Sequence, residues 1–383
     1  MHRIENLITG LCPNGVPFTD IKSVAEVGTG SSNGNEADEN GLYPFFIRSK
    51  TVKLKCSYEY DEEAIIIPGE GGVGEIFHYI NGKYALHQRV YRIHFTEPSI
   101  DTRFVYYYME AFFKKFILRK AVSATVTSIR KPMIESIQIP VPPLEVQQEI
   151  VRILDHFSEL TAELTAELTA ELTARKEQYI YYRNRLLTPT SQSTWMTLGD
   201  IGKVAMCKRI MKAETSPSGD VPFYKIGTFG KEPDAYISKA KYEEYRSKYP
   251  FPKRGDILIS AAGTIGRTVI YDGEPAYYQD SNIVWVENDE SIVLNRYLYY
   301  YYQLQPWSVS TGGTIARLYN DNISKARISV PPLSEQRRII SILDRFDALC
   351  NDLTSGLPAE IAARQKQYEY YRDKLLTFKK REG

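Results

Sequence analysis

The sequence has few cysteines and lacks the motifs that usually hold a metal ion or a nucleotide. Its four cysteines, at positions 12, 56, 207 and 350, form no CxxC pair, which argues against a zinc site and against a disulfide framework. It contains no GxxxxGK(S/T) segment for phosphates, and its five histidines show no ligand spacing. We therefore expect no metal, no cofactor and no catalytic centre in this chain.

The sequence also lacks an excess of either charge and any long apolar run. Its 48 basic and 47 acidic residues nearly cancel, so a nucleic-acid surface could arise only from local clustering. The most apolar stretch, FVYYYMEAFFKKFIL (104–118), is too short to span a bilayer and contains two lysines. The chain opens without a basic-then-apolar signal. We expect a soluble cytoplasmic protein that contacts no membrane.

What the sequence does contain is an internal repeat. IQIPVPPLEVQQEIVRILDHFSEL (137–160) matches ARISVPPLSEQRRIISILDRFDAL (326–349), an offset of 189 residues (326 − 137). At the same offset, ARKEQYIYYRNRLLT (174–188) matches ARQKQYEYYRDKLLT (363–377). Between these blocks the first copy carries three TAEL tetrads, and CNDL, TSGL and PAEI (350–361) occupy the equivalent places. The chain is therefore a tandem repeat.

The repeated blocks predict two long helices. Apolar residues recur at steps of three and four after each VPPL segment, which indicates one apolar helix face. We expect a continuous first helix from about Glu145 to Leu187, roughly 65 Å long at about 1.5 Å per residue. The second helix contains Gly356 and Pro358, and a proline costs about 3 kcal/mol in a helix interior. We expect a kink or short break there.

The TAEL segment predicts a helical spacer. Leucine at every fourth position advances about 400° per step, which gives a slowly turning apolar seam. Small alanines in the same tetrads would let a partner helix approach closely. Ordinary helical filler created by replication slippage is the alternative, but the second spacer has the same length. The predicted spacer leucines are Leu160, Leu164, Leu168, Leu172, Leu349 and Leu353.

The regions before the helical blocks predict compact α+β domains of about 140 residues, because short β-rich runs alternate with turn signals at Asn81-Gly82 and Asp272-Gly273. GEGGVG (69–74) formally matches a dinucleotide motif, but a helix would have to begin there. We interpret Gly71, Gly74, Gly263 and Gly266 instead as tight framework turns. The expected boundaries are 1–140 and 191–330 for the domains, and 141–190 and 331–383 for the helices.

The VPPL blocks, the TAEL tetrads and the two QYxYYR segments (178–183, 367–372) resemble the specificity subunit of type I restriction–modification systems, in the subgroup with central TAEL repeats. The resemblance implies an α+β fold with two similar α/β target-recognition domains. In such a fold two long antiparallel helices form a coiled-coil spacer between the domains, in a pseudo-two-fold tandem repeat. Each domain would read half of a bipartite, asymmetric site in double-stranded DNA, and the helices would set the gap.

The same resemblance implies partners and an absence of catalysis in this chain. Two modification subunits would carry the S-adenosylmethionine-dependent adenine methyltransferase, and restriction subunits would add ATP- and Mg-dependent translocation and cleavage. The chain lacks the Asn/Asp-Pro-Pro-aromatic motif usual in adenine methyltransferases, since both Pro-Pro pairs lie in VPPL. The candidates for subunit docking are Leu154, Phe157, Leu343 and Phe346.

Contacts to DNA are expected from basic and amide side chains on loops. A polar loop (28–41) followed by several cations in the first repeat has its counterpart in KRIMKAETSPSGD (208–220) in the second. For any single residue, a solvated surface position is the alternative interpretation. The candidates are Ser31, Asn33, Arg48, Lys50, Lys53, Thr125, Thr127, Lys208, Arg209, Lys212, Lys225, Arg267, Thr314 and Arg317.

Two other functions remain as alternatives. A stand-alone DNA methyltransferase or nuclease would require catalytic motifs that the sequence lacks. A noncatalytic coiled-coil scaffold without DNA specificity would give no sequence-selective footprint, even with its partners bound. The tyrosine-rich segments YYYME (106–110) and YLYYYYQ (297–303) could stack on nucleic acid, but we interpret them as packed helix faces.

Overall fold

The computed structural model describes residues 2–72, 74–120, 128–309, 317–352 and 355–381 of the 383-residue chain. The chain divides into two units, which are unit 1 (Met1–Leu168 with Glu360–Gly383) and unit 2 (Thr169–Ala359). Each unit combines β-sheets with helices, so the predicted α+β class is confirmed. No helix in the described ranges has the length and hydropathy needed to cross a membrane.

In its described residues, unit 1 is built on a six-stranded sheet of order β2-β7-β5-β6-β3-β4, with β1 and β8 as a separate pair. Neighbouring strands are antiparallel except β3 and β6. The strands are β1 (Phe18–Asp20), β2 (Ala25–Thr29), β3 (Tyr43–Phe46), β4 (Lys53–Lys55), β5 (Tyr60–Pro68), β6 (His78–Leu86), β7 (Val90–Phe95) and β8 (Gln138–Pro140). Its helices include α1 (His2–Leu11), α2 (Thr102–Lys120), α3 (Lys131–Glu135) and the first part of α4 (Leu144–Leu186).

The sheet of unit 1 is covered on both faces at its centre. Ile65 and Ile67 of β5 belong to the main core with Phe104 of α2, whereas Ile66 packs in a smaller cluster on the opposite face. This explains why the run EAIIIP does not alternate between apolar and polar residues. The tyrosine-rich start of α2 is packed as predicted, with Tyr107 buried.

The Asn81-Gly82 pair does not form the predicted hairpin turn. Both residues lie inside β6, where Asn81 pairs with Glu63 and Gly82 with Glu62 of β5. Gly82 has a φ of 121°, a value open to glycine, so the strand continues through the pair. The nine residues of β5 provide a long pairing edge, and this tertiary pairing overrides the local turn preference.

Unit 2 contains smaller sheets in its described residues, of order β10-β16-β13-β14, β12-β11-β15 and β17-β9. Its strands are β9 (Thr194–Thr197), β10 (Val204–Ala205), β11 (Val221–Tyr224), β12 (Tyr236–Ile237), β13 (Ile257–Ser260), β14 (Thr268–Ile270), β15 (Tyr277–Tyr278), β16 (Ile283–Val286) and β17 (Arg327–Val330). Its helices include α5 (Leu198–Ile201), α6 (Lys239–Lys248), α7 (Asn295–Tyr302), α8 (Asn320–Ser324) and α9 (Leu333–Asn351). The tyrosines of α7 are mostly buried, as predicted for a packed helix face.

The long helix α4 and the interruption of the second helix both confirm the sequence prediction. α4 runs unbroken through the TAEL tetrads, within one residue of the predicted limits at each end. The second helix divides into α9 and α10 (Leu357–Leu375). Gly356 lies at the division, where a Cβ atom would come within 2.6 Å of the Ala348 carbonyl oxygen. A residue with a side chain would collide with backbone at this point.

Leucine and threonine form the inner side of the TAEL segment. Leu164, Leu168 and Leu172 are partly buried, and Leu160 is 47% exposed. The alanines and glutamates of the tetrads are exposed, so the expected close approach through alanine does not occur. The partly buried positions instead include the threonines at 161 and 165, because they lie beside the leucines on the same helix face.

Each unit pairs one part of α4 with a helix of the second repeat. In unit 1, Phe157 contacts Tyr371 at a ring-centroid distance of 6.3 Å, and further along α4 Leu164 lines one groove with Arg364 of α10. In unit 2, Tyr182 stacks on Phe346 at 5.6 Å. These are the same pair in the two repeats, because 346 − 157 and 371 − 182 both equal 189. In unit 1, residue numbers rise along α4 as they fall along α10, so the helices there are antiparallel.

A buried glutamine fixes the start of the repeated helix in each unit. The Gln147 side chain accepts from the Asp101 amide (2.8 Å) and donates to two backbone carbonyl oxygens, of Ser99 and Pro142. Gln336 makes the equivalent set with the Leu294 amide and the carbonyl oxygens of Ile292 and Pro331. Both glutamines are 0% exposed. Each one therefore ties its VPPL segment to the preceding domain.

A second repeated cluster lies about two helical turns further on. Arg103 and Tyr107 of α2 both bond the Asp155 carboxylate, and Arg296 and Tyr300 of α7 bond Asp344 in the same way. Burial, together with a bond to the carboxylate, raises the pKa of both tyrosines well above the usual range. They therefore stay protonated donors, and the two units dock their helices with the same chemistry.

We expect Gln336→Ala to destabilise unit 2 by about 2–4 kcal/mol, because it leaves buried backbone groups without partners, each costing about 1–3 kcal/mol. The three tryptophans, Trp195, Trp285 and Trp307, all lie in unit 2, so denaturant unfolding followed by their fluorescence reports on this unit. Gln192→Ala, at an exposed position of the same unit, is the matched control. A midpoint equal to that of the control would contradict the assigned role.

Candidate nucleic-acid interface

Backbone bonds gather four polar segments at one place in unit 1. The residue after β6, His87, bonds Phe46, and the next one, Gln88, donates its amide to the Ser32 carbonyl oxygen (3.0 Å). Gly69 bonds the carbonyl oxygen of Arg89 (2.9 Å), and Ile129 in turn bonds that of Gly69 (2.8 Å). The loop after β2, the 87–89 turn, the 69–70 turn and residues 128–130 therefore present their side chains together.

The gathered side chains carry amide and ionic groups. Gln88 Nε2 donates to Asn33 Oδ1 at 2.7 Å. The Glu70 carboxylate accepts from Arg89 (2.9 Å) and from Arg48 (3.3 Å), and these guanidinium groups lower the pKa of Glu70. Arg130 is exposed and has no ion pair among the described residues. Exposed ion pairs contribute little stability, so these arginines can exchange a carboxylate for a phosphate at low cost.

Of the other candidates in unit 1, Ser31, Lys50 and Lys53 are exposed. The Ser31 amide donates to Glu59 (3.0 Å) beside the gathered segments. Lys53 lies in the edge strand β4, and Lys50 lies in the connection that precedes it. The pKa of Glu75 is lowered mainly by its bond to Lys114 and, to a smaller extent, by the charge of Lys50. The structure therefore brings Ser31, Asn33 and Arg48 into one surface and leaves the two lysines beside it.

Unit 2 repeats the framework with different side chains. Leu318 bonds the Ala261 carbonyl oxygen (2.9 Å), which is the counterpart of the bond from Ile129 to Gly69. Arg209 pairs with Asp280 (2.8 Å), and Arg317 donates to the neighbouring Ser281 carbonyl oxygen (2.7 Å). Two predicted arginines that are far apart in sequence are thus anchored on one short loop.

The remaining cations of unit 2 differ in their exposure and in their contacts with neighbouring groups. Lys208 and Lys212 are exposed, and Lys208 lies over the Tyr249 ring at 5.1 Å. Lys225 pairs with Asp234 (2.8 Å). Arg267 is partly buried and donates to the Phe229 carbonyl oxygen (2.9 Å) and to Thr264, so its guanidinium group mainly holds the framework. Thr125, Thr127, Thr314 and Leu353 lie outside the described residues.

The four docking candidates divide into two kinds. Leu154 and Leu343 are 0% exposed and belong to the cores of their units. They offer no side-chain area to a partner, so the structure gives them a packing role. Phe157 and Phe346 are half-buried and form the aromatic pairs described above. The apolar periodicity identified the inner helix face but could not say what covers it.

The glycine motif has the geometry of turns. Gly71, Gly74, Gly263 and Gly266 all have φ values between 66° and 78°, in the left-handed region that glycine enters without strain. At Gly266 an added Cβ would also meet the Trp307 ring at 3.0 Å. β6 follows GEGGVG where a dinucleotide site would need a helix. The interpretation as framework turns is confirmed.

Sequence reasoning missed several members of this interface. Gln88 and Arg89 lie in a short turn between two strands, and Glu70 and Asp280 are acidic. A search for clustered basic residues selects none of these positions. The useful signal would have been the exposed QR pair that interrupts the run KYALHQRVYRIHF, because a strand of this length needs a turn there.

Comparisons with known proteins agree with this geometry. The family described as type I restriction modification DNA specificity domain matches residues 13–174 and again 192–363. A Haemophilus influenzae protein described as a type I restriction enzyme specificity subunit is 49% identical over 88% of this chain and 89% of its own length. The EcoR124I/EcoR124II specificity subunit of Escherichia coli is 32% identical over 65% of this chain and 64% of its own length.

Solved structures share the fold at low sequence identity. A chain from a structure of type I R-M complex assembly and conformational transition aligns over 95% of this chain and 98% of its own length, with a TM-score of 0.64 and 15% identity. The HsdS subunit from Thermoanaerobacter tengcongensis aligns over 96% and 99%, with a TM-score of 0.53 and 15% identity. With both repeats matched by one family, the protein belongs to the DNA specificity subunits of type I restriction–modification systems.

Proposed function

We propose that units 1 and 2 each read one half of a bipartite, asymmetric site in double-stranded DNA. The observation that carries this proposal is a shared framework with different chemistry. Equivalent backbone bonds hold the two frameworks, from Ile129 to Gly69 in unit 1 and from Leu318 to Ala261 in unit 2. On this framework unit 1 presents amides and acid–arginine pairs, whereas unit 2 presents arginines. Different side chains on one framework would select different bases.

As a specificity subunit the chain is noncatalytic, and methyl transfer and cleavage belong to its partner subunits. Within the described part of the chain, no cluster of three or more His, Cys, Asp or Glu residues could hold a metal ion. In our proposal S-adenosylmethionine, ATP and Mg²⁺ are bound by modification and restriction subunits, in the cytoplasm. Activity of the assembled complex therefore depends on this chain only through DNA selection and assembly.

Salt dependence tests the arginine surface of unit 2. Replacing Lys208 and Arg209 by alanine should weaken DNA binding by the assembled complex and reduce the salt slope by about 1–2, because each phosphate contact contributes about 0.9. The measurement is binding to a duplex at several salt concentrations. Lys239 and Lys248, which pair with glutamates of their own helix, provide a matched double-alanine control. An unchanged slope would remove Lys208 and Arg209 from the interface.

The second part of the proposal is that α4 sets the gap between the half-sites, as expected for the TAEL subgroup. It is supported by the unbroken course of α4, whose residues before and after position 168 belong to different units. A helix keeps its length where a flexible linker does not, and each tetrad adds about 6 Å. The spacer leucines would then keep the helix packed along this course.

Deleting Thr165–Leu168 should shorten the nonspecific gap and leave the bases of both half-sites unchanged. The reason is that about 6 Å of helix, comparable to one or two base-pair steps, is removed outside both candidate interfaces. Methylome sequencing of cells that carry the deletion variant with its modification subunit measures both properties. If the half-site bases change while the gap stays constant, α4 is not the spacer.

The third part of the proposal concerns assembly with two modification subunits, joined by restriction subunits. Each unit exposes a large apolar pair on its helices: Leu160 and Tyr370 in unit 1, and Leu349 and Tyr181 in unit 2. The pairs are equivalent, because 349 − 160 and 370 − 181 both equal 189. Beside the first pair, Phe157, Leu164 and Tyr368 line an apolar groove between α4 and α10. Two copies of one surface fit two copies of one partner.

Single substitutions test this stoichiometry. Tyr181→Asp or Tyr370→Asp should each remove one modification subunit, because a charge placed in an apolar contact costs binding energy of hot-spot size, about 2 kcal/mol or more. Native mass spectrometry counts the subunits in the complex. Tyr249→Asp, at an exposed position that ends α6 in unit 2, is the control. A complex that keeps two modification subunits with both variants would exclude this surface.

A further inference from the structure

Gln88 is an exposed amide whose orientation is fixed by its neighbours. Its backbone amide bonds the Ser32 carbonyl oxygen, and its side-chain Nε2 donates to Asn33 Oδ1 at 2.7 Å. The flanking residues His87 and Val90 are buried, so the turn itself is held by the core. The side chain therefore projects from a rigid support, as a group that reads a ligand requires.

Asn33 is itself held from the other side. Its backbone amide donates to Glu36 Oε1 at 2.6 Å. This bond and the Lys55 ammonium, 2.7 Å from Glu36 Oε2, lower the pKa of Glu36. Glu36 therefore holds the Asn33 backbone, while Asn33 Oδ1 receives the Gln88 Nε2 donor. This pair of bonds sets which way the Gln88 amide faces.

Once Nε2 has donated to Asn33, Gln88 keeps one N–H donor and the acceptor Oε1. A donor and an acceptor side by side match the major-groove edge of adenine, which offers N7 as an acceptor and N6 as a donor. Guanine offers two acceptors there, and its O6 would face Oε1. Thymine offers one acceptor and a methyl group. Cytosine offers only a donor, N4, so adenine alone among the bases satisfies both groups.

The surroundings of Gln88 suit a nucleic-acid backbone. Arg89 and Arg48 lie on the Glu70 carboxylate, and Arg130 lines the same shallow cleft as Gln88. All three arginines are exposed, and arginines beside a reading group are what phosphate contacts require. The cleft is lined by residues of unit 1 alone.

We propose that Gln88, oriented by Asn33, selects an adenine in the DNA half-site that unit 1 reads. The inference rests on the proposed function, since it assigns one base contact within that half-site. Asn33 acts as the positioning residue, and Arg48, Arg89 and Arg130 contact the flanking phosphates.

The first experiment compares recognition motifs. Complexes of the full chain with its modification subunit are prepared with wild-type, Gln88→Ala and Gln88→Glu chains, and each methylome is sequenced. A bidentate amide–adenine pair contributes about 1–3 kcal/mol of discrimination, so selection at one adenine position should fall about 5- to 150-fold with Gln88→Ala. Gln88→Glu replaces the donor by a second acceptor and should lose the same selection. Asn81→Ala, an exposed amide in β6 of the same unit, should leave the motif unchanged.

The second experiment identifies the atom that is read. Each adenine of the motif in a synthetic duplex is replaced in turn by 7-deazaadenine, which lacks the N7 acceptor. The wild-type complex should bind about 2- to 10-fold more weakly at one position, as expected for one lost hydrogen bond. The Gln88→Ala complex should show no further loss there. Asn33→Ala should weaken selection at that same position only, which a general loss of stability would not do.

The outcomes separate this inference from the function on which it rests. If the wild-type complex binds and methylates without base selection, the proposed function fails and the inference with it. If the wild type is selective but Gln88→Ala and Gln88→Glu keep every base of the motif, only the assignment of Gln88 is overturned. Equal sensitivity of wild-type and Gln88→Ala complexes to 7-deazaadenine also overturns it.

Discussion

The structure depends on an exchange of helices between the two halves of the sequence repeat. Neither repeat supplies both helices of a pair: in unit 1, Tyr371 of the second repeat covers Phe157, and in unit 2, Tyr182 of the first repeat covers Phe346. In the TAEL tetrads the exposed side of α4 carries alanine and glutamate, so the position of this segment depends on packing along its inner side.

Clusters of polar side chains fix the position at which each of these helices begins. Gln147 and Gln336 tie the first turns to the domains, and the Arg103–Asp155–Tyr107 cluster and its counterpart hold the next turns. Apolar packing alone would tolerate a helix that slides along its axis, whereas buried hydrogen bonds do not. A fixed starting position matters in our proposal that α4 sets the gap between two DNA half-sites.

The sequence predicted the structure correctly wherever a single local property determined it. The limits of α4, the division at Gly356 and the glycine turns all follow from propensity, periodicity and backbone sterics. It failed where tertiary contacts decide. Asn81-Gly82 has the local signal of a hairpin, but pairing with β5 carries the strand through it. Gln88, Asn33 and Glu70 come together because of the strand order, which periodicity does not encode. Leu154 shows that an apolar helix face can be predicted without knowing whether the core or a partner protein covers it.

The tail of the chain has a consequence for biosynthesis. Val16 exchanges backbone bonds with Lys379 and Arg381, and Phe378 packs on Phe104 of the unit 1 core. Unit 1 therefore needs residues that follow all of unit 2 in the sequence, and domains fold as their segments leave the ribosome. Unit 2 can finish folding first. Unit 1, although synthesised earlier, keeps part of its core uncovered until the last helix has been made. During translation, a chaperone or a partner subunit can bind the nascent polypeptide at this uncovered part of the unit 1 core.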